Sequence, residues 1–403
     1  MRLTHLSLTN FRNFVRLETQ FPSGVTLLVG ANAQGKTSLL EAVYLLTGAS
    51  SPHASSERQM INLLALDQPT PFARLAAEVH RGSKPQRIEI RMLLEQSSGN
   101  AEPRLRKEVL LNGVKRRQRA LAGVFNAVFF HPHDLRIIDG SPSERRRYID
   151  ATLSQADPIY AKTLAEYAKV LSQRNALLKQ LQERNGDRNQ LEFWDDKIAE
   201  LSAALIRARF SALHELEALA TVIHQQLTRQ REVLRLEYLP AFNPLTGPRE
   251  QPHLPLDSPL DWTSVGLEQI RQGMLAALKE LRGEEIARGA TVLGPHRDEI
   301  RFLANGIELR PYGSRGQHRT AMLATKLAEV EWLRERTGFW PTLLLDEVLA
   351  ELDAERRQDL LRTVSEAKQA LLTTSELAMF TQDFQQSATM WQITAGTLAP
   401  LTP

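Results

Sequence analysis

Apolar residues follow three rhythms along this chain, and each rhythm holds its own stretch. Around residues 3–8, 72–80 and 87–94, apolar and polar positions alternate, the period of a strand with one buried face. Short apolar runs at 25–29, 126–130 and 342–345 predict strands buried on both faces, and 370–373 continues the same pattern. Residues 37–46 predict a helix between two such regions. Asn112-Gly113 and Asn305-Gly306 suit two-residue type I′ turns, so 108–115 and 300–309 predict hairpins.

From 143 to about 238 the rhythm becomes helical. Leu164, Leu171 and Leu178 recur every seven residues, with Tyr167 and Leu181 three residues on from the first and third as partial d-type partners. After Asn185-Gly186 a second run carries Ile198, Leu201, Leu205, Leu213, Leu216, Leu219, Ile223 and Leu227. This spacing predicts two antiparallel helices packed along one seam, each about 45 Å long at 1.5 Å per residue. Pro240, Pro244, Pro248, Pro252, Pro255 and Pro259 then predict a long loop, and helix returns over 265–287. The pattern implies an α/β domain built from both chain ends around an all-helical insertion. The expected parts are 1–142, an arm at 143–287 with a Pro-rich loop at 240–259, and 288–403.

The join between the strand at 25–29 and the helix at 37–46 carries the chemistry. Gly30-Ala31-Asn32-Ala33-Gln34-Gly35-Lys36-Thr37 matches the phosphate-binding loop G-x-x-x-x-G-K-[ST]. Its glycines let backbone N–H groups converge on one anion, and the following helix aims its positive end at the same point. Lys36 supplies a cation for the β- and γ-phosphates of a nucleoside triphosphate, and the Thr37 hydroxyl suits Mg²⁺. Thr342-Leu343-Leu344-Leu345-Asp346-Glu347 is an apolar strand ending in two carboxylates. There Asp346 is expected to organise Mg²⁺, and Glu347 to polarise an attacking water as general base.

Flanking residues narrow the class. Tyr312-Gly313-Ser314-Arg315-Gly316-Gln317 opens a helix running to about 334, and Ala350-Glu351-Leu352-Asp353 follows the acid pair. This arrangement resembles the ATP-binding-cassette superfamily, with Ser314, Gly316 and Gln317 in the signature motif and Asp353 in the D-loop. The resemblance implies that Ser314 of one subunit acts in trans on the γ-phosphate held by another.

The whole chain is similar to the RecF family of bacterial recombination-repair ATPases, which have a Rad50-like head. The similarity is carried by Leu8-Thr9-Asn10-Phe11-Arg12-Asn13-Phe14, by 139–150 (Asp-Gly-Ser-Pro-Ser-Glu-Arg-Arg-Arg-Tyr-Ile-Asp), by Gln173-Arg174-Asn175 in the arm, and by Leu293-Gly294-Pro295-His296-Arg297-Asp298-Glu299. It implies a P-loop ATPase head with a helical lever arm, and a nucleotide contact from Arg12. It implies an ATP-dependent homodimer that hydrolyses ATP slowly and binds DNA at gaps or single-strand to double-strand junctions. The implied partners are RecR, with RecO and RecA in the pathway, and the implied setting is repair, replication restart and the SOS response. Two positions depart from the pattern. His133, in His131-Pro132-His133-Asp134, replaces an acid, and the segment lacks the Q-loop glutamine. Thr374-Ser375 stands where a switch histidine is expected.

Charge and composition refine this picture. The net charge is only +3, but residues 80–150 hold 15 Lys plus Arg against 8 Asp plus Glu. Such bunching suits a polyanion partner and equally suits a solvated basic surface; with the DNA binding that the resemblance implies, Arg104, Arg106, Lys107, Lys115, Arg116 and Arg117 are the expected DNA contacts. Among the 403 residues there is no cysteine, which excludes disulfides, thiolate metal sites and cysteine nucleophiles. The N-terminus lacks a signal peptide's apolar core, and no apolar run reaches the roughly 20 residues of a membrane span, so a cytoplasmic protein is expected. A transporter's ATPase subunit would share the phosphate loop, signature and acid pair, but would lack an insertion of this length. Chromosome-structural proteins of the Rad50 and SMC kind need far longer coiled coils. A small-molecule kinase needs no signature-bearing helix.

Overall fold

The computed structural model describes residues 1–54, 56–95, 103–184, 186–242 and 265–401. The chain divides into two compact units, Met1–Asp134 with Glu329–Pro403, and Leu135–Ala328.

The first unit contains two six-stranded sheets. One is antiparallel, in the order β2-β1-β4-β5-β6-β7, from β1 (Arg2–Phe11), β2 (Phe14–Gln20), β4 (Phe72–Arg81), β5 (Lys84–Glu95), β6 (Arg104–Leu111) and β7 (Val114–Arg116). The other has the order β15-β14-β3-β13-β12-β8, from β3 (Gly24–Val29), β8 (Ala127–Phe130), β12 (Thr342–Asp346), β13 (Gln369–Thr374), β14 (Thr389–Thr394) and β15 (Thr397–Pro400). All of its neighbours pair in parallel except β14 with β15. The N-terminal strand β3 lies between β13 and β14, so both chain ends form one sheet, as the sequence pattern implied.

Every residue of β8, β12 and β13 is buried, which is why those segments read as unbroken runs rather than alternations. Helix α1 (Lys36–Leu45) buries Leu39, Leu40 and Val43 in a core shared with Leu6, Leu8, Phe11, Phe14 and Ile90. The buried amide of Gln369 ties the two sheets together. It accepts from Leu3 N at 2.7 Å and donates to Leu3 O at 2.7 Å and Pro22 O at 3.0 Å. Both expected hairpins form. Asn112 and Gly113 take φ of 53° and 79°, and Asn305 and Gly306 take 50° and 81°, the two positive values a type I′ turn needs.

The second unit is mostly helical. Its main helices are α3 (Pro142–Ala156), α4 (Pro158–Arg184), α5 (Leu191–Leu227) and α6 (Leu267–Arg288), after a single turn, α2 (Arg136–Asp139). A second short turn, α7 (Leu309–Tyr312), leads into α8 (Arg315–Thr337), which runs on into the first unit. The C-terminal half of the first unit adds α9 (Ala354–Glu366) and α10 (Gln382–Ser387).

The arm differs from its expected form in one element. Within the stretch read as helical to about 238, Leu234–Leu239 is a strand, β9. It pairs antiparallel with β10 (Glu299–Ala304), which in turn pairs with β11 (Ile307–Glu308). Leu234, Leu236 and Tyr238 are buried at period two, a rhythm that the preceding 3.6-residue stripe obscures. The α4 seam is also shifted. Tyr167, Val170, Arg174, Leu178 and Leu181 are buried, while Leu164 and Leu171 sit at its margin. In the expected Pro-rich loop, residues 243–259 lie outside the described residues.

Candidate nucleotide site

The phosphate loop leaves the carboxyl end of β3 and closes into α1. Its geometry depends on glycine at two points. Gly35 has φ 113°, and a Cβ there would meet Asn13 Nδ2 at 2.4 Å; one on Gly30 would meet Ile393 O at 2.5 Å. Gln34 anchors the loop. Its carbonyl accepts from Asn13 Nδ2 at 2.9 Å and Gly396 N at 3.1 Å, and its Oε1 accepts from Ala395 N at 2.7 Å. The turn between β14 and β15 therefore holds the loop, a prop that the sequence reading missed because Ala395-Gly396 carries no motif of its own. Ala31, Asn32 and Ala33 remain exposed at the crest.

Residues from the two chain ends meet beside this loop. Strand β12 brings Asp346 to Thr37, whose Oγ1 donates to Asp346 Oδ2 at 2.7 Å. Lys36 is 5% exposed and its Nζ lies 2.7 Å from Glu347 Oε1, with Gly30 O and Ala31 O also accepting from it. A cation, a hydroxyl and two carboxylates thus share one corner at the carboxyl ends of parallel strands, the usual ligand position in such sheets.

Glu347 takes φ 51° and ψ 14°, a left-handed conformation that costs a non-glycine residue roughly 1–2 kcal/mol. Thr373 secures it. The Thr373 hydroxyl accepts from Glu347 N at 3.0 Å and donates to Asp346 Oδ1 at 2.8 Å. Thr373 was legible only as a strand residue. The adjacent Thr374, in the expected switch position, instead donates to Glu376 O at 2.8 Å.

Arg12 is engaged within the fold. It also has a left-handed φ of 52°, and its Nε and Nη2 each donate at 2.8 Å to the carboxylate of Glu41, which is 1% exposed. Glu41 lies one helical turn beyond Thr37. It also accepts from Ser51 Oγ, and Ser51 Oγ in turn accepts from His53 N at 3.1 Å. His53, His131 and His133 form a cluster, with ring centroids 5.3 Å apart for His53–His131 and 5.8 Å for His53–His133. Phe129 packs against His131 at 5.0 Å. Burial pushes the His53 imidazole below its ordinary pKa, opposed by the charges of Glu41 and Asp346.

The signature residues are presented on the second unit. Ser314 and Gln317 cap α8 reciprocally: Ser314 N donates to Gln317 Oε1 at 2.9 Å, and Gln317 N donates to Ser314 Oγ at 3.2 Å. Ser314, Arg315 and Gly316 are exposed. Gly313 fits closely under His318, whose Nε2 lies 2.7 Å from Leu309 O. Asp353 caps α9, accepting from Arg356 N at 3.0 Å, and that bond holds its carboxyl below the usual range.

The expected DNA contacts are unevenly balanced. Arg106 pairs with Glu95 at 2.9 Å and Glu108 at 2.6 Å, Lys107 with Glu57 at 2.6 Å, and Lys115 with Glu108 at 2.6 Å. Arg104, Arg116 and Arg117 are exposed and make no ion pair among the described residues.

The segments 139–150 and 293–299, distant in sequence, are joined by a buried network. Arg209, 2% exposed, donates to Asp150 Oδ2 at 2.9 Å, Asp298 Oδ2 at 2.9 Å and Pro295 O at 2.6 Å. Arg145 donates twice to Glu299 at 2.8 Å, and Arg146 donates to Asp298 O at 2.6 Å. His296 Nδ1 lies 2.6 Å from Tyr167 Oη. Burial, with the charges of Arg297, Arg146 and Arg209, lowers the His296 pKa to about 4. A second buried group centres on Arg174, which meets Asp195 at 2.7 Å, Glu285 at 2.6 Å and Thr291 at 2.8 Å.

Comparison with known proteins agrees with this geometry. Residues 2–397 match the family model described as the RecF/RecN/SMC N terminal domain. The DNA replication and repair protein RecF of Roseiflexus castenholzii is 40% identical over 414 residues, covering 99% of this chain and 100% of that one. A solved structure of the recombination mediator protein RecF-ATP in the RecFOR pathway has a TM-score of 0.83 and 31% identity, covering 99% of this chain and 97% of that one. A solved SmcHead bound to the C-winged helix domain of ScpA has a TM-score of 0.51 at 16% identity, covering 100% of this chain and 98% of that one, which is a likeness of fold alone. By full-length sequence and by structure, the chain belongs to the RecF family of DNA replication and repair proteins.

Proposed function

We propose that this protein is an ATP-dependent DNA-binding protein of recombinational repair, working as a dimer that forms on ATP. The observation that carries the reading is the meeting of Lys36, Thr37, Asp346 and Glu347 at one strand edge, with Thr37 Oγ1 2.7 Å from Asp346 Oδ2. A hydroxyl and a carboxylate are hard oxygen donors, the set that Mg²⁺ takes, so Thr37 and Asp346 would hold the metal of Mg–ATP. Bound there, the metal would neutralise charge on the β- and γ-phosphates. Lys36 and the loop N–H groups of 30–37 bind the triphosphate, and Glu347 orients water for a slow hydrolysis.

The exposed Ser314 and Gly316, at the start of α8, suit an anion presented by a second copy, with Gln317 holding the turn. Arg12 and Asp353 support the site through Glu41 and α9. In this reading 1–142 and 288–403 act as the head and 143–287 as the lever arm. Membership of the RecF family supports extending this reading to gapped or junction DNA, to RecR, RecO and RecA as partners, to replication restart and SOS induction, and to a cytoplasmic setting. No helix among the described residues is long and apolar enough to cross a membrane.

Sedimentation tests the reading. With Mg–ATP and DNA, wild-type protein should shift to a dimer, and Glu347→Gln should accumulate that dimer because it binds ATP without hydrolysing it. Lys36→Ala should stay monomeric. A wild type that remains monomeric at saturating Mg–ATP with DNA overturns the proposal.

A further inference from the structure

In the cap of α8, Gln317 uses only one end of its amide. Its Oε1 accepts from Ser314 N at 2.9 Å. Its Nε2 turns away from the cap and donates to Glu232 Oε1, also at 2.9 Å. Glu232 lies 85 residues earlier, in the turn that follows the 37-residue helix α5.

That turn is fixed by its own backbone and by a distant hairpin. Arg229 and Gln230 take left-handed φ values of 53° and 62° in succession. Gln230 N donates to Gln225 O at 2.7 Å and Arg231 N to Thr228 O at 3.2 Å, which folds the chain back on the end of α5. Asn305, in the turn between β10 and β11, then holds both neighbours of Glu232. Its Nδ2 donates to Arg231 O at 3.3 Å, and its Oδ1 accepts from Val233 N at 2.9 Å. The same hairpin leads through α7 to Ser314. Glu232 is therefore delivered to Gln317 by a braced turn. Its carboxylate is partly buried, with Oε2 3.8 Å from His224 Nε2 on α5.

An amide side chain offers an accepting oxygen at one end and two donating hydrogens at the other. Turned over, Gln317 would bring its NH₂ against the Ser314 N–H, donor against donor, and the cap would open. An acceptor at the far end selects the orientation that the cap needs. A carboxylate serves best, because it has no hydrogen of its own to offer. We propose that Glu232 is a positioning residue for the signature: by fixing the amide of Gln317, it holds Ser314 and the start of α8 in the shape that receives an anion. This deepens, and rests on, the reading of Ser314 as a contact to the phosphate held by a second copy. Glu232 touches no nucleotide; it acts through Gln317.

The test is a double-mutant cycle on ATP-driven dimerisation of the full chain, read by sedimentation with Mg–ATP and DNA. Nucleotide binding and thermal melting are measured on each protein. Glu232→Leu keeps the bulk and removes the acceptor; Glu232→Gln keeps an oxygen that accepts. Glu232→Leu should weaken the dimer about tenfold, with ATP binding by the monomer changed less than about twofold. Glu232→Gln should keep dimerisation within about threefold of wild type. In a Gln317→Leu background, Glu232→Leu should weaken the dimer less than about twofold further, because the route through Gln317 is already cut. If Leu lowers the melting temperature enough to unfold the protein, Glu232→Ala replaces it in the same cycle. A full tenfold loss in the Gln317→Leu background, or a wild-type dimer from the apolar Glu232 variant, overturns the proposal. Failure of the underlying reading looks different: wild type would then stay single with Mg–ATP, or Ser314→Ala would dimerise unchanged.

Discussion

At the scale of single residues, the site is held by atoms that no motif names. Lys36, Thr37, Asp346 and Glu347 were legible because their chemistry is tied to fixed spacings in the chain. Thr373 was not, since its contribution arises only when β13 lies beside β12. Its hydroxyl bonds both Asp346 and the backbone of Glu347, where the chain adopts an unfavourable φ. Thr373→Val preserves shape and removes both bonds, leaving a buried carboxylate oxygen and an amide short of partners. We expect a loss of about 1–3 kcal/mol in urea unfolding, together with weaker Mg–ATP binding. Unchanged unfolding and binding would show that Glu347 holds its conformation without this support. Arg12 illustrates the opposite difficulty: its position was legible, but its pairing with Glu41 depends on how β1 packs over α1.

At the scale of elements, periodicity located most strands and helices, and failed where two periods overlap. The helical stripe ending at Leu227 runs into the alternation of β9, and only pairing with β10 reveals the change. Buried charge was also illegible, because Arg174 and Arg209 look in sequence like ordinary solvated positions on a helix. Such groups hold elements in register at the cost of desolvation, so breaking one is expensive. His296 gives this a measurable form. Its pKa of about 4 lies below the unfolded value of 6.5, so the unfolded chain takes up the proton first as pH falls. The stabilising contribution is complete above pH 6.5 and is lost as the pH descends toward 4. By pH 5 we expect a loss of about 2 kcal/mol in unfolding free energy relative to pH 7.5, and His296→Asn should remove that part of the pH dependence. An identical pH profile for the variant would mean that other groups govern the acid limb.

At the scale of the molecule, charge is distributed less simply than counting implies. A surplus of cations in 80–150 was visible from composition. That several of them are already matched by Glu57, Glu95 and Glu108 becomes visible only in the folded sheet. Arg116 and Arg117 therefore carry more of the outward field than Lys107 and Lys115. In DNA titrations over a range of salt, Arg116→Glu with Arg117→Glu should flatten the slope of log affinity against log salt by about 2, one for each lost phosphate contact. The pair Lys107→Glu and Lys115→Glu should alter it less. Equal slopes for both double variants would place the polyanion on another face.

The interleaving of β3 between β13 and β14 also bears on how the molecule comes into being. A ribosome delivers β3 early, but both of its flanking strands are encoded after residue 368. Until then the segment is an exposed apolar ribbon on the nascent chain, open to mispairing and to chaperone capture. A premature stop codon between β13 and β14 leaves one edge of β3 without its neighbour and removes the turn that braces Gln34. Translation must therefore be nearly finished before the phosphate loop has both its neighbouring strands and its bracing turn.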